Sequence, residues 1–265
     1  MARSAAGGVR ELSRDELTAQ LRELGVEPGG VLLVHASFRA VRPVEGGPRG
    51  LIEALRAALG PRGTLVMPSM TEDDDRAFDP ATTPARSMGI VADTFWRLPG
   101  VLRSNHFASF AASGPQAARI TADHPLAPPH GPESPVGRVL GLDGRILLLG
   151  VGHDANTTIH LAEHGAGVPY RVRRHCTVLR DGRPHRVEYQ EIDHCCQRFA
   201  LADRWLGERG RQHDGPVGHA PARLARARDV VNVVVDHLAA DPLAFLHPRG
   251  GGCAECDEAW QGVRA

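Results

Sequence analysis

The chain has 265 residues, 31 basic against 31 acidic, and 42% of it is hydrophobic. A chain of that length buries one sizeable core, and the balanced charge excludes the broad basic surface that nucleic-acid binding needs. No apolar run is long enough to span a membrane, and Met1–Ala6 lacks the apolar centre of a signal peptide. A soluble cytoplasmic protein without nucleic-acid or membrane partners is therefore expected. Five cysteines are too few for a disulfide scaffold. Cys195, Cys196, Cys253 and Cys256 cluster while Cys176 stands apart, a pattern that in a reducing compartment points to metal or to burial.

Ser13-Arg14-Asp15-Glu16 opens a helix with Leu17, Leu21 and Leu24 on one face and Gly25 at its end. Pro28-Gly29-Gly30 turns into the apolar run Val31–Val34, a buried strand that ends at His35–Arg39. A loop through Pro43–Gly47 leads to an amphipathic helix from Leu51 to Leu59, and Gly60–Gly63 turns into a second strand, Thr64–Pro68. Strand, loop, helix and strand in that order predict a βαβ unit and a parallel sheet. Gly89–Leu98 reads as a helix and Phe107–Ala112 as a strand. Prolines 125, 128, 129, 132 and 135 remove the donors that helix and central strand need, so 124–135 is predicted to be a long ordered loop. Arg145–Leu149 is another buried-strand run. Cys176–Arg180 and His185–Tyr189, joined by Asp181-Gly182, predict a hairpin. Residues 194–206 read as a helix with Cys195, Phe199, Ala202 and Leu206 on one stripe, and a further helix is expected from Pro221 to Leu238. With no repeat and no linker, one α/β domain is expected over 10–258. It has a mostly parallel central sheet flanked by helices, a β-hairpin and a helical C-terminal part, with flexible ends at 1–9 and 259–265.

The chemistry concentrates after Arg145–Leu149. Gly150 and Gly152 let the backbone turn, and Asp154, Asn156 or Thr157 caps an onward helix. Thr157, His160 and Glu163 then recur at i, i+3 and i+6, so Thr157 and His160 are stacked neighbours. A hydroxyl beside an imidazole at the exit of a buried strand is where α/β enzymes keep their chemistry. His160 needs a partner to hold its tautomer, and Glu163, Glu191 and Asp193 are the candidates. The loop over 35–47 leaves a parallel strand and precedes a helix, an arrangement that holds phosphate groups on backbone N–H groups and Ser37. The acidic run Glu72–Asp75 falls at the same sheet edge and suits a polycationic substrate. Cys253-x-x-Cys256 looks like half a zinc knuckle. Cys195 lies on the apolar stripe, so His194 and Cys196 are the pair expected to complete the ligand set.

On these residues the chain resembles the aminoglycoside N3-acetyltransferases, and most closely the branch that acetylates apramycin. The resemblance runs over about residues 10–258. It is carried by Leu32–Arg39, Val44–Gly47, Gly63–Pro68 and Ser134–Gly137, and most specifically by Gly150–His153 with Thr157–Glu163. Phe107 departs from the pattern, since many relatives have proline after the histidine. The resemblance implies an α/β fold distinct from that of most acetyltransferases. It also implies acetyl transfer from acetyl-CoA to the 3-amino group of the 2-deoxystreptamine ring, in the cytoplasm and by a monomer or homodimer. By position, His160 would be the general base, Glu191 its orienting carboxylate, and Thr157 a hydroxyl at the thioester. His35, Ser37, Phe38, Arg39, Val44, Glu45 and Gly46 would hold coenzyme A, again with Thr157. Asp73, Asp74, Asp75, Glu163 and Asp193 would line the drug cleft. His194, Cys196, Cys253 and Cys256 would hold a structural zinc, leaving no cysteine in the chemistry.

Two other readings compete. An acetyltransferase of the same fold acting on another amine would share the coenzyme loop and His160 without needing the acidic run. A non-enzymatic zinc-binding interaction protein would account for the cysteines alone.

Overall fold

The computed structural model describes residues 9–263. Its strands are β1 (Val31–Ala36), β2 (Thr64–Pro68), β3 (Leu102–Arg103), β4 (Phe110–Ser113), β5 (Arg145–Leu149), β6 (Val172–Arg180), β7 (Arg183–Glu191), β8 (Gln212–Val217) and β9 (Ala220–Arg226). Seven of them form one sheet in the order β3-β4-β2-β1-β5-β9-β8, and β6 and β7 form a separate hairpin. The centre is parallel, with β1 between β2 and β5, as the βαβ spacing predicts. Antiparallel strands extend it on both flanks.

The continuous apolar runs of β1, β2 and β5 follow from burial on both faces. Leu33, Val66, Ile146 and Leu148 enter one core with Ile159, Ala162, Val230, Val234 and Phe245. Their alternate neighbours Leu32, Val34, Leu65, Met67, Leu147 and Leu149 enter the other with Leu17, Leu21, Leu51, Ile52 and Leu55. The sheet is therefore the middle of three layers. The helix Arg14–Leu24 starts with a complete capping box between Ser13 and Glu16 and stops at left-handed Gly25.

Four expectations about elements need correction. The helix expected from Pro221 is β9 up to Arg226, and the helix proper is Ala227–Ala240. Ala222 and Leu224 alternate inward against β5, a pairing that overrides the poor strand propensity of alanine. β8 pairs with β9 and was not expected at all. The helix expected over 194–206 begins only at Gln197, because Cys196 sits in the left-handed region at φ 58° and breaks the stripe. The expected flexible end at 259–265 is mostly packed. Ala254–Gln261 is a helix, Ala259 is buried, and Trp260 Nε1 donates to the His247 carbonyl at 2.8 Å. The other expected end lies mainly at residues 1–8, which, with 264–265, are outside the described residues.

Gly150 fixes how the chain leaves β5. Its φ is +68°, and an added Cβ would lie 2.5 Å from the Ala40 Cβ, so the two loops leaving β1 and β5 meet there with no room to spare. Gly150→Ala combines a left-handed backbone with overpacking and is expected to cost about 2–4 kcal/mol in a urea titration. A wild-type denaturation midpoint would show that the loops separate easily.

Candidate active site

β1 and β5 are adjacent and parallel, yet they send their helices to opposite faces. Gly47–Leu59, after β1, packs on one side and Thr158–Ala166, after β5, on the other. Such a reversal opens a crevice at the carboxyl ends of the strands. A cavity of about 430 Å³ occupies it, lined among others by His35, Ser37, Met70, Val151 and Thr157. Thr157 Oγ1 lies 3.4 Å from His35 Nε2. Burial, reinforced by nearby His153, pushes the His35 pKa down to about 4, so the ring is uncharged at neutral pH. Of the three capping candidates, Asn156 is the one that caps. Its Oδ1 accepts from the Thr158 N–H at 3.1 Å while its amide contacts His153 Nδ1 at 3.1 Å.

One turn beyond Thr157, His160 Nδ1–H donates to Glu163 Oε2 at 2.9 Å. The other carboxylate oxygen accepts from the Tyr170 hydroxyl at 2.5 Å and from His194 Nε2–H at 2.8 Å. His194 Nδ1 in turn accepts from the Cys196 N–H at 3.1 Å, which fixes the tautomer of His194. Glu163 is fully buried. Burial raises its pKa, but the hydrogen bonds from His160 and His194 outweigh this and hold it at about 2. Tyr170 is pushed far up, by burial first and by Glu163 second, and so remains a donor.

His160 keeps Nε2 free to accept a proton, and that nitrogen faces Cys196 Sγ at 3.5 Å. Burial opposes a charge on His160, but the Cys196 sulfur and the Glu163 carboxylate on either side outweigh it and hold the pKa well above the ordinary histidine value. His130 stacks on its face at 5.2 Å between ring centroids, and Phe199 meets it edge-on at 5.0 Å. Burial first, and His160 second, keep His130 uncharged.

Several site expectations change. Glu191 does not touch His160. Its Oε1 accepts from the Ile192 N–H at 2.7 Å and lies 3.3 Å from His164 Nε2. The orienting carboxylate is Glu163, whose i, i+3 spacing puts it directly against His160. Glu163 is then unavailable to a substrate, because both its oxygens are occupied and buried. His194 is likewise no metal ligand, with both ring nitrogens committed, and Cys196 points at His160 instead of at Cys253. The thiols that do converge are Cys195, Cys253 and Cys256. Cys196, with its sulfur 3.5 Å from His160 Nε2, also overturns the expectation that the cysteines lie far from the stretch around His160.

Of the expected coenzyme residues, only His35, Ser37 and Thr157 line the 430 Å³ cavity. Phe38 packs partly into the core, Arg39 is exposed, and Val44 is buried beside Leu12. Glu45 and Gly46 line a separate cleft with Ser13–Asp15. The acidic groups gather at the base of the hairpin. Asp75 Oδ1 is 3.2 Å from His175 Nε2, and Asp193 Oδ2 accepts from Arg174 Nε at 2.6 Å, so Asp193 is partly neutralised. Asp73 faces Arg76 at 3.5 Å. Asp74 is half-buried, and burial raises its pKa. Burial also pushes the Tyr189 hydroxyl up, with the charges of Cys176, Glu191, Asp74 and Asp193 adding to it. Phe107 packs against the same ring at 5.9 Å, giving that unusual residue a role in docking the hairpin.

Sequence reasoning missed Tyr170, His130 and the catalytic-side position of Cys196. Only the proline-rich loop that carries His130 gave a signal. For Glu163 the sign is fixed by its depressed pKa. Its ionised form stabilises the fold above the ordinary carboxylate value, and that contribution is lost as the pH falls towards about 2. Glu163→Gln sets an amide N–H₂ against a donor and is expected to cost about 2–4 kcal/mol at neutral pH. Denaturant midpoints followed down from neutral pH should fall more steeply for the wild type than for the variant; parallel curves would contradict the network.

The family model for aminoglycoside 3-N-acetyltransferases matches residues 33–239. Aminoglycoside N(3)-acetyltransferase IV of Salmonella sp is 64% identical over 243 residues, covering 91% of this chain and 93% of that one. The crystal structure of aminoglycoside acetyltransferase AAC(3)-IVa as apoenzyme aligns with a TM-score of 0.95 at 63% identity, over 97% of this chain and 100% of that one. A histidine-to-alanine mutant of that enzyme has also been crystallised with a gentamicin and with apramycin. AAC-IIIb in a binary complex with CoASH is 27% identical with a TM-score of 0.78, over 87% of this chain and 97% of that one. The chain belongs to the aminoglycoside 3-N-acetyltransferase family.

Proposed function

We propose that this chain transfers acetyl from acetyl-CoA to the 3-amino group of the 2-deoxystreptamine ring of gentamicin-like and apramycin-like aminoglycosides. The amine attacks the thioester directly, with His160 as general base. The observation that carries this reading is the 2.9 Å contact between His160 Nδ1 and buried Glu163, which leaves Nε2 as the basic nitrogen. An ammonium has no lone pair, so the 3-amine must give up a proton before it attacks. His160 Nε2 takes that proton. The amine nitrogen then bonds to the thioester carbon and gives up its second proton as the C–S bond breaks, and the coenzyme thiolate takes up that proton and leaves as the thiol. The raised His160 pKa makes the ring a stronger base but a scarcer one near neutrality, unlike the ordinary imidazole expected from sequence.

The cavity beside Thr157 suits the pantetheine arm, with the Thr157 hydroxyl placed to donate to the developing oxyanion. Asp75 meets the hairpin at His175 and Thr177, Asp193 follows the hairpin, and Glu191 leads to His164, one turn from His160. That acidic approach suits a polycation, and the AAC(3)-IVa complexes with a gentamicin and with apramycin support the same substrate class. Among the described residues no helix is long and apolar enough to cross a membrane. We place the enzyme in the cytoplasm, where acetyl-CoA is made, with drug resistance as its role.

A second reading is favoured by one contact, Cys196 Sγ at 3.5 Å from His160 Nε2. In it the Cys196 thiolate attacks the thioester and coenzyme A leaves; the amine then attacks the S-acetyl carbon, the C–S bond breaks, and the Cys196 thiolate is released.

His160→Ala is expected to lower kcat with gentamicin by about 10²–10⁴. Under direct transfer Cys196→Ser keeps activity within about tenfold, and no acetylated protein forms with acetyl-CoA alone. A covalent adduct by mass spectrometry, together with an inactive Cys196→Ser, would transfer the mechanism to the second reading. Wild-type kcat/KM should rise with pH and level off above the ordinary histidine range, since the base must be deprotonated and its pKa is raised. Asp74→Asn is expected to raise KM for gentamicin by about fivefold with little change in kcat, the effect of one charge at a partly exposed groove. An unchanged KM at low salt would remove Asp74 from the drug's path.

A further inference from the structure

Three thiols that the mechanism does not use form a compact set of their own. The Sγ atoms of Cys195, Cys253 and Cys256 all lie within 4.8 Å of one another, and Cys195 and Cys256 are 3.6 Å apart. A tetrahedral ion with metal–sulfur bonds of about 2.3 Å holds its sulfurs roughly 3.8 Å apart, so little movement separates this triangle from a metal-bound one. The backbone is shaped to match. Gly250 and Gly252, at φ 71° and 86°, loop the chain back, and the Gly250 N–H donates to Asp257 Oδ1 at 2.8 Å to close the loop. Cys253 then sits at the N-cap of Ala254–Gln261, which places it and Cys256 one turn apart on the same helix start, beside Cys195. A disulfide would use two of these sulfurs and leave the third without a purpose.

We propose that Cys195, Cys253 and Cys256 bind one zinc ion through three thiolates, and that this ion pins the turn carrying His194 and Cys196 into the active site. Cys195 faces away from the chemistry, whereas the left-handed Cys196 next to it turns its sulfur to His160 and its N–H to His194. The ion is therefore a positioning device: it ties the C-terminal helix to the segment that feeds Glu163. This second part rests on the active-site assignment above, whereas metal binding itself does not.

Metal analysis of the full-length protein, purified without chelator, is expected to give about one zinc per chain. Cobalt(II) substitution should give thiolate charge-transfer and tetrahedral d–d absorption, and an organomercurial should release the zinc from folded wild type as the thiols titrate. Cys253→Ser is expected to lose the metal and lower kcat, while Glu163→Gln keeps the metal, so the two failures are distinguishable. A metal-free wild type that takes up neither zinc nor cobalt, or a Cys195–Cys256 disulfide found by non-reducing peptide mapping, would overturn the proposal.

Discussion

Glu163 is a carboxylate buried completely inside an enzyme core, and the rest of the site depends on how it is satisfied. Removing such a charge from water costs several kcal/mol, and only full hydrogen bonding makes it tolerable. The three donors come from three places: His160 on its own helix, Tyr170 just before β6, and His194 just after β7. The carboxylate therefore ties the helix after β5 to both ends of the hairpin. Because its donors are N–H and O–H groups of fixed direction, it also dictates which nitrogen of His160 carries the hydrogen.

The sheet topology divides the labour around that anchor. The reversal between β1 and β5 creates a cavity whose lining is mainly apolar, with His35, Ser37 and Thr157 among its polar groups. The hairpin, which takes no part in the sheet, brings Tyr189, Glu191 and Asp193 against the acidic segment after β2. An uncharged, narrow recess on one side and a carboxylate-rich approach on the other match a thioester arm and a polycation. His160 stands between them, held by Glu163, His130 and Phe199.

Much of this was legible in the sequence. Continuous apolar runs located β1, β2 and β5, and the glycines after β5 located the turn into the functional helix. The spacing of Thr157, His160 and Glu163 already put His160 and the carboxylate it contacts on one helix face. The role of Glu163 was nevertheless misjudged, because a carboxylate in a sequence carries no mark of its burial. Nothing in the sequence shows that Tyr170 and His194 arrive from elsewhere to accommodate it. Cys195 and Cys196 were misassigned for a local reason. The helical stripe assumed regular backbone, and the left-handed turn at Cys196 sends adjacent thiols to different destinations. β8 and β9 escaped notice because alanine, glycine and proline carry little strand signal, and their order comes from pairing, β9 with β5 and β8 with β9.

The central claim is that Glu163 fixes His160 as the Nδ1–H tautomer and leaves Nε2 as the working base. Nitrogen NMR of ¹⁵N-imidazole-labelled protein, titrated across neutral pH and assigned with His160→Ala, tests it most directly. The account predicts that His160 Nδ1 stays protonated throughout and that Nε2 loses its proton above the ordinary histidine range. A His160 that deprotonates at Nδ1, or titrates at or below the ordinary value, would contradict it.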